Sequence, residues 1–109
     1  MTKKKEIVKV EDNRLEDYEL VCIINPEITD ESLESKIDGI SKFITGKNGV
    51  VAEVERWGKK KLAYPIKHFL EGIYVLTKFK INPAQCKELE TNLKISEEVL
   101  RHLLIKLSD

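Results

Sequence analysis

The sequence predicts an α+β domain in which two amphipathic helices cover one face of a four-stranded antiparallel sheet. Two observations carry this prediction: four segments have strand-like patterns, and two segments between them repeat apolar residues at helical spacing. Their order along the chain is β, α, β, β, α, β. This is the split arrangement in which both helices pack against the same side of the sheet, so the other face is left open.

Each of the four strand segments has its own pattern. Residues 18–24, YELVCII, begin with apolar and polar alternation and become continuously apolar, which is typical of a central strand. Residues 50–66 alternate between an apolar and a charged face, and Gly58 interrupts them with an expected bend or bulge. Residues 73–81 follow the connection KHFLEG and are expected to pair back as a hairpin. Residues 99–107 are interpreted as the last strand, although their composition also fits a helix.

Two amphipathic helices separate these strands. Thr29 is the expected N-cap of the first helix, and Gly46 and Gly49 mark its exit. Asn82 followed by Pro83 is an equally clear start for the second helix. The apolar stripes consist of Leu33, Ile37, Ile40 and Ile44 in the first helix and of Cys86, Leu89 and Leu93 in the second.

The length and charge of the chain limit what it can do. Its 109 residues suit one domain, and we expect a flexible N-terminal extension at residues 1–15 and a folded domain at residues 16–109. Lysine plus arginine and aspartate plus glutamate each number 19, so any polyanion must be bound by a local patch. No segment has the roughly 20 apolar residues of a membrane-spanning helix. With no secretory segment, Cys22 and Cys86 are expected to be reduced core thiols in a cytoplasmic protein.

No arrangement of residues predicts catalysis, a metal site or a cofactor. His68 and His102 have no neighbouring Cys, Ser or acidic motif, so a structural or surface role is expected for each. The sequence contains no HExxH, Walker or GxGxxG motif. We therefore expect no enzyme activity and no small-molecule substrate.

One segment departs from the evenly mixed charge of the chain. No acidic residue occurs between Glu55 and Glu71, and the cations of this interval are Arg56, Lys59, Lys60, Lys61 and Lys67. Such a cluster can neutralise phosphates with release of counterions. Lysines also protect the edge of a sheet against aggregation, so the pattern alone leaves both roles open.

Apolar residues lie beside these cations. Trp57 either stacks on a base or anchors a protein interface, or it folds onto the rim of the sheet and covers the protein's own core. Phe69 and Leu70, in the predicted connection, present the same choice. Three apolar side chains near one end of a hairpin suggest a neighbouring protein.

The segment WGKKKLAYPIKHFLEGIYVL, residues 57–76, resembles the bacterial family of small-subunit ribosomal protein number six. YELVCIINPEI and LKISEEVLRHLLIKL resemble the family's first and last strands, so the similarity covers about residues 16–107. The resemblance implies a ferredoxin-like fold and a non-catalytic, structural role in the small ribosomal subunit. It further implies binding to the central domain of 16S ribosomal RNA, as a heterodimer with protein number eighteen of the same subunit.

Under this resemblance the residues of the segment take different roles. Those expected to contact RNA are Arg56, Lys59, Lys60, Lys61 and Lys67. Those expected to shape the hairpin and form the partner-protein interface are Trp57, Tyr64, Pro65, Ile66, Phe69 and Leu70. The N-terminal extension is longer than the family usually has, and the given sequence closes with Ser108 and Asp109 without the acidic tail that some members carry.

Two other functions of the same fold fit the sequence less well. An RNA-recognition motif reads single strands with aromatic residues on its central strands, and EGIYVLTKF lacks the basic-Gly-aromatic signature of that motif. A single-strand RNA binder of this kind is kept as the alternative. An enzyme of the acylphosphatase kind needs a phosphate-binding loop with an arginine after the first strand, and INPEITD has none.

Overall fold

The computed structural model describes residues 14–107 of the chain. Its elements are β1 (Glu16–Ile24), α1 (Asp30–Gly46), β2 (Val50–Ile66), β3 (Phe69–Ile81), a 3₁₀ turn (Pro83–Gln85), α2 (Cys86–Lys94) and β4 (Val99–Lys106). The strands form one antiparallel sheet in the order β2-β3-β1-β4. The predicted ferredoxin-like α+β fold is confirmed. The predicted N-terminal extension lies, up to residue 13, outside the described residues.

Both helical segments begin at the residues that the sequence predicts. Oγ1 of Thr29 accepts a hydrogen bond from the amide of Ser32 at 3.1 Å, which satisfies one of the free donors of the first turn. Oδ1 of Asn82 accepts one from the amide of Ala84 at 2.8 Å. The proline at position 83 loses nothing there, because a first-turn amide has no helical acceptor.

The exit from α1 uses an asparagine as its left-handed residue. Asn48 has a φ of 65°, a conformation that asparagine tolerates better than most side chains. Gly49, predicted to mark the exit with Gly46, is needed for a different reason. A Cβ at position 49 would lie 2.5 Å from the carbonyl oxygen of Lys80, so the loop can approach β3 closely only with glycine there.

The core lies between the helices and one face of the sheet. It consists of Tyr18, Leu20, Cys22 and Ile24 of β1, Val75, Phe79 and Ile81 of β3, Ile37, Ile40 and Ile44 of α1, Leu89 and Leu93 of α2, and Val99 of β4. Cys22 is buried in this core as a small apolar residue, and its burial raises the pKa of the thiol to about 12. Cys86 is half-buried against the same core, and neither cysteine forms a disulfide.

The hairpin between β2 and β3 is tighter than predicted. The sequence predicts a connection of six residues, KHFLEG, but only Lys67 and His68 separate the two strands. Residues 69–72 belong to β3. The prediction is wrong because a glutamate followed by glycine is typical of a turn, whereas Glu71 and Gly72 are paired with β2 in the sheet.

A bulge at Gly58 changes which side chains of β2 share a face. The alternation of the sequence places Trp57 and Lys59 together, and that prediction is wrong. The pairing with β3 shifts just before Gly58, which has a φ of 83°. Lys59 is then opposite Ile73, which packs against the core on the helix side, while Trp57 stacks on Tyr74 on the open face.

Candidate nucleic-acid and partner-protein interface

The β2–β3 hairpin extends past the end of its neighbouring strand. β1 pairs with β3 only as far as the pair Ile24 and Ile73. From the pair Lys60 and Gly72 onwards, the hairpin therefore continues as two strands only, within the part of the chain that the structure describes. Residues 59–72 are called the hairpin arm below. All predicted site residues except Arg56 and Trp57 lie in this arm.

The four residues LAYP form a large bulge in the hairpin arm. Between two regular pairs, the four residues 62–65 oppose the single residue Leu70. Pro65 has no amide hydrogen to donate to the sheet, and a bulge is one of the few places where a strand tolerates such a residue. The extra length on one strand bends the hairpin arm over the open face of the sheet.

Two contacts attach the hairpin arm to that face. Leu62 is only 9% exposed and lies beside Gly72 above Ile23 of β1. A Cβ at position 72 would come within 3.0 Å of Cγ2 of Ile23, so this contact requires glycine. In the second contact, Nη1 of Arg101 in β4 donates a hydrogen bond to the hydroxyl of Tyr64. Together they connect the arm to the two strands farthest from β2.

A groove lies between the hairpin arm and the open face. Its volume is about 330 Å³. The side chains that line it are mainly apolar or aromatic: Val21, Ile23, Leu62, Ala63, Tyr64, Ile66, Tyr74, Leu103, His102 and Arg101. Two predicted partner-interface residues, Tyr64 and Ile66, are therefore brought together in the groove. Trp57 stacks on Tyr74, which also lines it.

Trp57 covers its own sheet and is also accessible from outside. Its ring stacks on Tyr74 with centroids 6.4 Å apart, and its Nε1 donates a hydrogen bond of 2.9 Å to Oε1 of Glu55. That hydrogen bond is the main reason why the pKa of the Glu55 carboxyl is lowered, with contributions from Glu53 and Lys78. Because Trp57 is still 44% exposed, the two roles that the sequence left open are not exclusive.

The opposite side of the hairpin arm is basic. Lys59 and Lys61 border a wide cleft of about 590 Å³ between the arm and the β1–α1 turn. The other residues of this cleft are Pro26, Glu27, His68, Phe69, Leu70 and Glu71. Lys60 is paired with Gly72 and so belongs to the groove side. Phe69, although paired with Ile66 in the sheet, thus borders the cleft with Leu70 and two lysines, whereas Tyr64 and Ile66 line the groove.

The lysines of the hairpin arm have no acidic partner. Within residues 14–107, no carboxylate oxygen lies within 4.0 Å of the ammonium group of Lys59, Lys60, Lys61 or Lys67. In the same range Lys87 and Lys94 of α2 have no such partner either, whereas six other lysines do: Lys36 with Glu98, Lys42 with Asp38, Lys47 with Glu88, Lys78 with Glu53 and Glu55, Lys80 with Asp17, and Lys106 with Glu16. The lysines of the arm are therefore not engaged in ion pairs with other described residues, although Glu71 lies opposite Lys61 in the sheet.

Arg56 differs from these lysines. Its Nη2 lies 2.7 Å from Oε1 of Glu34 in α1, so its charge is already matched by a carboxylate. Both side chains are more than half exposed. An ion pair of this kind contributes at most about 1 kcal/mol and can be exchanged for another anion.

Within residues 14–107, no three His, Cys, Asp or Glu side chains are grouped closely enough to hold a metal ion. His102 lies 3.4 Å from Oε2 of Glu90, and His68 lies in the hairpin turn. None of the helices in this range is both long enough and apolar enough to span a bilayer.

The comparison with known proteins identifies the family. A family model described as ribosomal protein S6 matches residues 17–106. The chain belongs to the ribosomal protein S6 family. One S6 relative, small ribosomal subunit protein bS6 of Dehalococcoides mccartyi strain CBDB1, is 42% identical over 104 residues, which are 95% of each chain. The bS6 protein of Moorella thermoacetica is 39% identical over 87% of this chain and 97% of that protein. S6 proteins are structural and not enzymatic, so this chain is a structural constituent of the small ribosomal subunit.

Solved structures agree with the S6 fold. The crystal structure of 30S ribosomal protein S6 from Thermotoga maritima has a TM-score of 0.81 and 30% identity, and the match covers 86% of this chain and 89% of that one. The C-terminal domain of the MgtC protein from Mycobacterium tuberculosis matches with a TM-score of 0.57 at 17% identity. The second likeness concerns the fold alone, so the S6 assignment rests on sequence similarity.

Sequence reasoning missed the residues that hold the hairpin arm in place. Ile23, Gly72 and Arg101 are absent from the predicted site. A glycine inside a strand is a known signal of close backbone approach, but the sequence assigns Gly72 to the predicted connection KHFLEG, so this signal did not identify it. The contact between Arg101 and Tyr64 joins residues 37 positions apart, and nothing local in the sequence indicates it.

Proposed function

We propose that this S6 protein binds the central domain of 16S ribosomal RNA in the cytoplasm, as a heterodimer with protein number eighteen of the small subunit. The proposal follows from the family resemblance, and one observation supports it most. The hairpin arm carries four lysines that form no ion pair within the described residues, and it borders an apolar groove. Since the net charge is zero, attraction to a polyanion has to arise from such a local concentration of positive charge.

The proposed RNA contacts are Arg56, Lys59, Lys60, Lys61 and Lys67. The four lysines need not break an ion pair before they meet a phosphate. Arg56 must first exchange Glu34 for phosphate, which costs little because that pair is exposed. Each phosphate contact is expected to add about 0.7 to 0.9 to the slope of log affinity against log salt concentration.

The proposed partner-protein contacts are Trp57, Tyr64, Pro65, Ile66, Phe69 and Leu70. Trp57 is the proposed anchor, because a half-exposed tryptophan beside a groove is typical of a binding hot spot. Leu103 and Ile105 of β4, which are 57% and 38% exposed, extend the same open face. They give a partner apolar surface on both sides of the groove.

The alternative, a single-strand RNA binder like an RNA-recognition motif, has less support. Such a motif stacks bases on aromatic residues of its two central strands. Here β1 contributes Val21 and Ile23 to the open face, and β3 contributes Leu76 and Tyr74. The single aromatic ring among these four is already stacked against Trp57.

Binding to a transcript of the central 16S RNA domain, with and without protein number eighteen, tests the proposal. We expect tight binding only when both proteins are present. The double substitution Lys59→Gln and Lys61→Gln should lower the salt slope by about 1.5, since two phosphate contacts are lost. The matched control is Lys87→Gln and Lys94→Gln, which removes two exposed lysines of α2.

Three outcomes would count against the proposal. Absence of binding to the transcript by the heterodimer rejects it. Equal binding to any short single strand without the partner supports the alternative. Equal salt slopes for the arm variant and the α2 control remove the lysines from the RNA interface.

A further inference from the structure

The turn at the tip of the hairpin arm has a backbone conformation that its residues disfavour. Lys67 has a φ of 50° and His68 a φ of 75°, between the paired residues Ile66 and Phe69. A two-residue hairpin turn with both φ values positive is the I′ type, for which asparagine and glycine are the favoured residues. Left-handed backbone is costly for other side chains, and such strain is typical of functional positions. The turn would be more stable with asparagine and glycine, so the side chains of Lys67 and His68 cost stability.

One of these two side chains lies in the basic cleft. His68 lines the cleft together with Lys59 and Lys61, which have no acidic partner within the described residues. Phe69, the next residue, contributes a half-buried ring to the same cleft. Ammonium groups beside an aromatic ring are the two components with which proteins hold unpaired nucleotides, one for the phosphate and one for the base.

The acidic residues of the cleft limit the kind of nucleic acid that fits. Glu27 lies on the wall formed by the β1–α1 turn, and Glu71 is paired directly with Lys61. Both carboxylates repel a continuous row of phosphates, such as the backbone of a duplex. They can accept hydrogen bonds from the amino groups of a base. The mixture of groups suits a single splayed nucleotide better than a helix.

We propose that this cleft binds one unpaired nucleotide of ribosomal RNA, with its phosphate at Lys59 and Lys61 and its base against the ring of Phe69. The inference rests on the RNA-binding part of the proposed function, and it moves Phe69 from the proposed partner-protein contacts to the RNA contacts. The volume of about 590 Å³ is within the range of small-molecule sites. His68, at the tip, lies at the rim of the same site. A role of its side chain at this site would explain why the turn has a residue that its backbone conformation disfavours.

Photo-crosslinking and binding by matched variants test the assignment. Central-domain RNA containing 4-thiouridine, bound to the heterodimer, should crosslink to the peptide around Phe69. Phe69→Leu removes the ring and keeps an apolar side chain, and it should weaken RNA binding about 5- to 100-fold. Phe69→Tyr should restore binding. Ile95→Ala, which trims an exposed apolar residue beyond α2, should leave it unchanged.

The same variants separate the possible failures. If the wild-type heterodimer does not bind the transcript, the proposed function fails before the cleft is tested. If it binds and Phe69→Leu binds equally well without crosslinks at the cleft, only the nucleotide site is rejected. A weaker affinity of Phe69→Leu for protein number eighteen in the absence of RNA would return Phe69 to the partner interface and overturn the inference.

A second substitution tests the turn itself. Lys67→Asn with His68→Gly supplies the favoured residues of a I′ turn, so the melting temperature should rise by about 4 °C or more while RNA binding weakens. A rise in stability with unchanged RNA affinity would show that the tip side chains serve no RNA contact. A fall in stability would contradict the backbone strain inferred for Lys67 and His68.

Discussion

Gly72→Ala should destabilise the protein, although alanine usually serves better than glycine within a strand. The hairpin arm approaches β1 so closely at this point that an added Cβ would come within 3.0 Å of Cγ2 of Ile23. That methyl group sits on the branched Cβ of isoleucine and has few other rotamers to adopt. Leu62, at 3.6 Å from the same Cβ, is in ordinary contact and need not move.

The expected loss follows from two opposing effects. Overpacking of a well-packed contact costs about 1 to 3 kcal/mol. Replacing glycine returns about 0.4 to 1 kcal/mol, because the unfolded chain loses conformational freedom. The upper part of the first range applies, since the clash involves a side chain with little freedom. A net destabilisation of about 1 to 2 kcal/mol is therefore expected.

Urea denaturation followed by the fluorescence of Trp57 measures this loss. Gly39→Ala is the matched control, because an added Cβ at position 39 meets nothing within 4 Å. Gly39 lies inside α1, where alanine is favoured by about 1 kcal/mol, so this control should stabilise the protein. If Gly72→Ala had a midpoint equal to or above that of the wild type, the close approach of the hairpin arm to β1 would be refuted.

Two further predictions concern ionisable groups. The pKa of Glu55 is lowered by its hydrogen bond from Trp57, so the ionised form is favoured and the contact is lost as the pH falls through that pKa. The emission of Trp57 should therefore change in acid with a midpoint below the ordinary pKa of a glutamate, and Glu55→Gln should abolish the step. A midpoint above that ordinary pKa contradicts the contact. Cys22, with a pKa raised to about 12, should react with a thiol reagent at pH 8 only as fast as the protein unfolds when Cys86 is replaced by serine. Rapid labelling of the native variant would refute the burial of Cys22.

The features that the sequence predicts well are those set by neighbouring residues. The caps at Thr29 and Asn82 satisfy amides two or three positions away, so a short window of sequence suffices to find them. The stripe that includes Ile37 and Ile44 follows from helical spacing alone. Family resemblance then supplied a function that these local patterns could not.

The features that the sequence predicts poorly depend on how distant segments pair. Gly58 predicts a bulge, but the faces of Trp57 and Lys59 follow from the shift in pairing with β3, which only the assembled sheet fixes. The division of the candidate site into a groove and a basic cleft depends on that shift. The contact from Arg101 to Tyr64 depends in turn on the bend of the hairpin arm.

The projection of the hairpin arm beyond the sheet has a thermodynamic consequence. A two-stranded ribbon is only marginally stable by itself, so a molecule that binds either side must supply part of the free energy that orders it. If the partner protein occupies the groove, RNA entering the basic cleft finds that ordering already done. By thermodynamic linkage, bound RNA should then raise the affinity for the partner protein by the same factor as the partner protein raises the affinity for RNA. This coupling needs no contact between the two ligands.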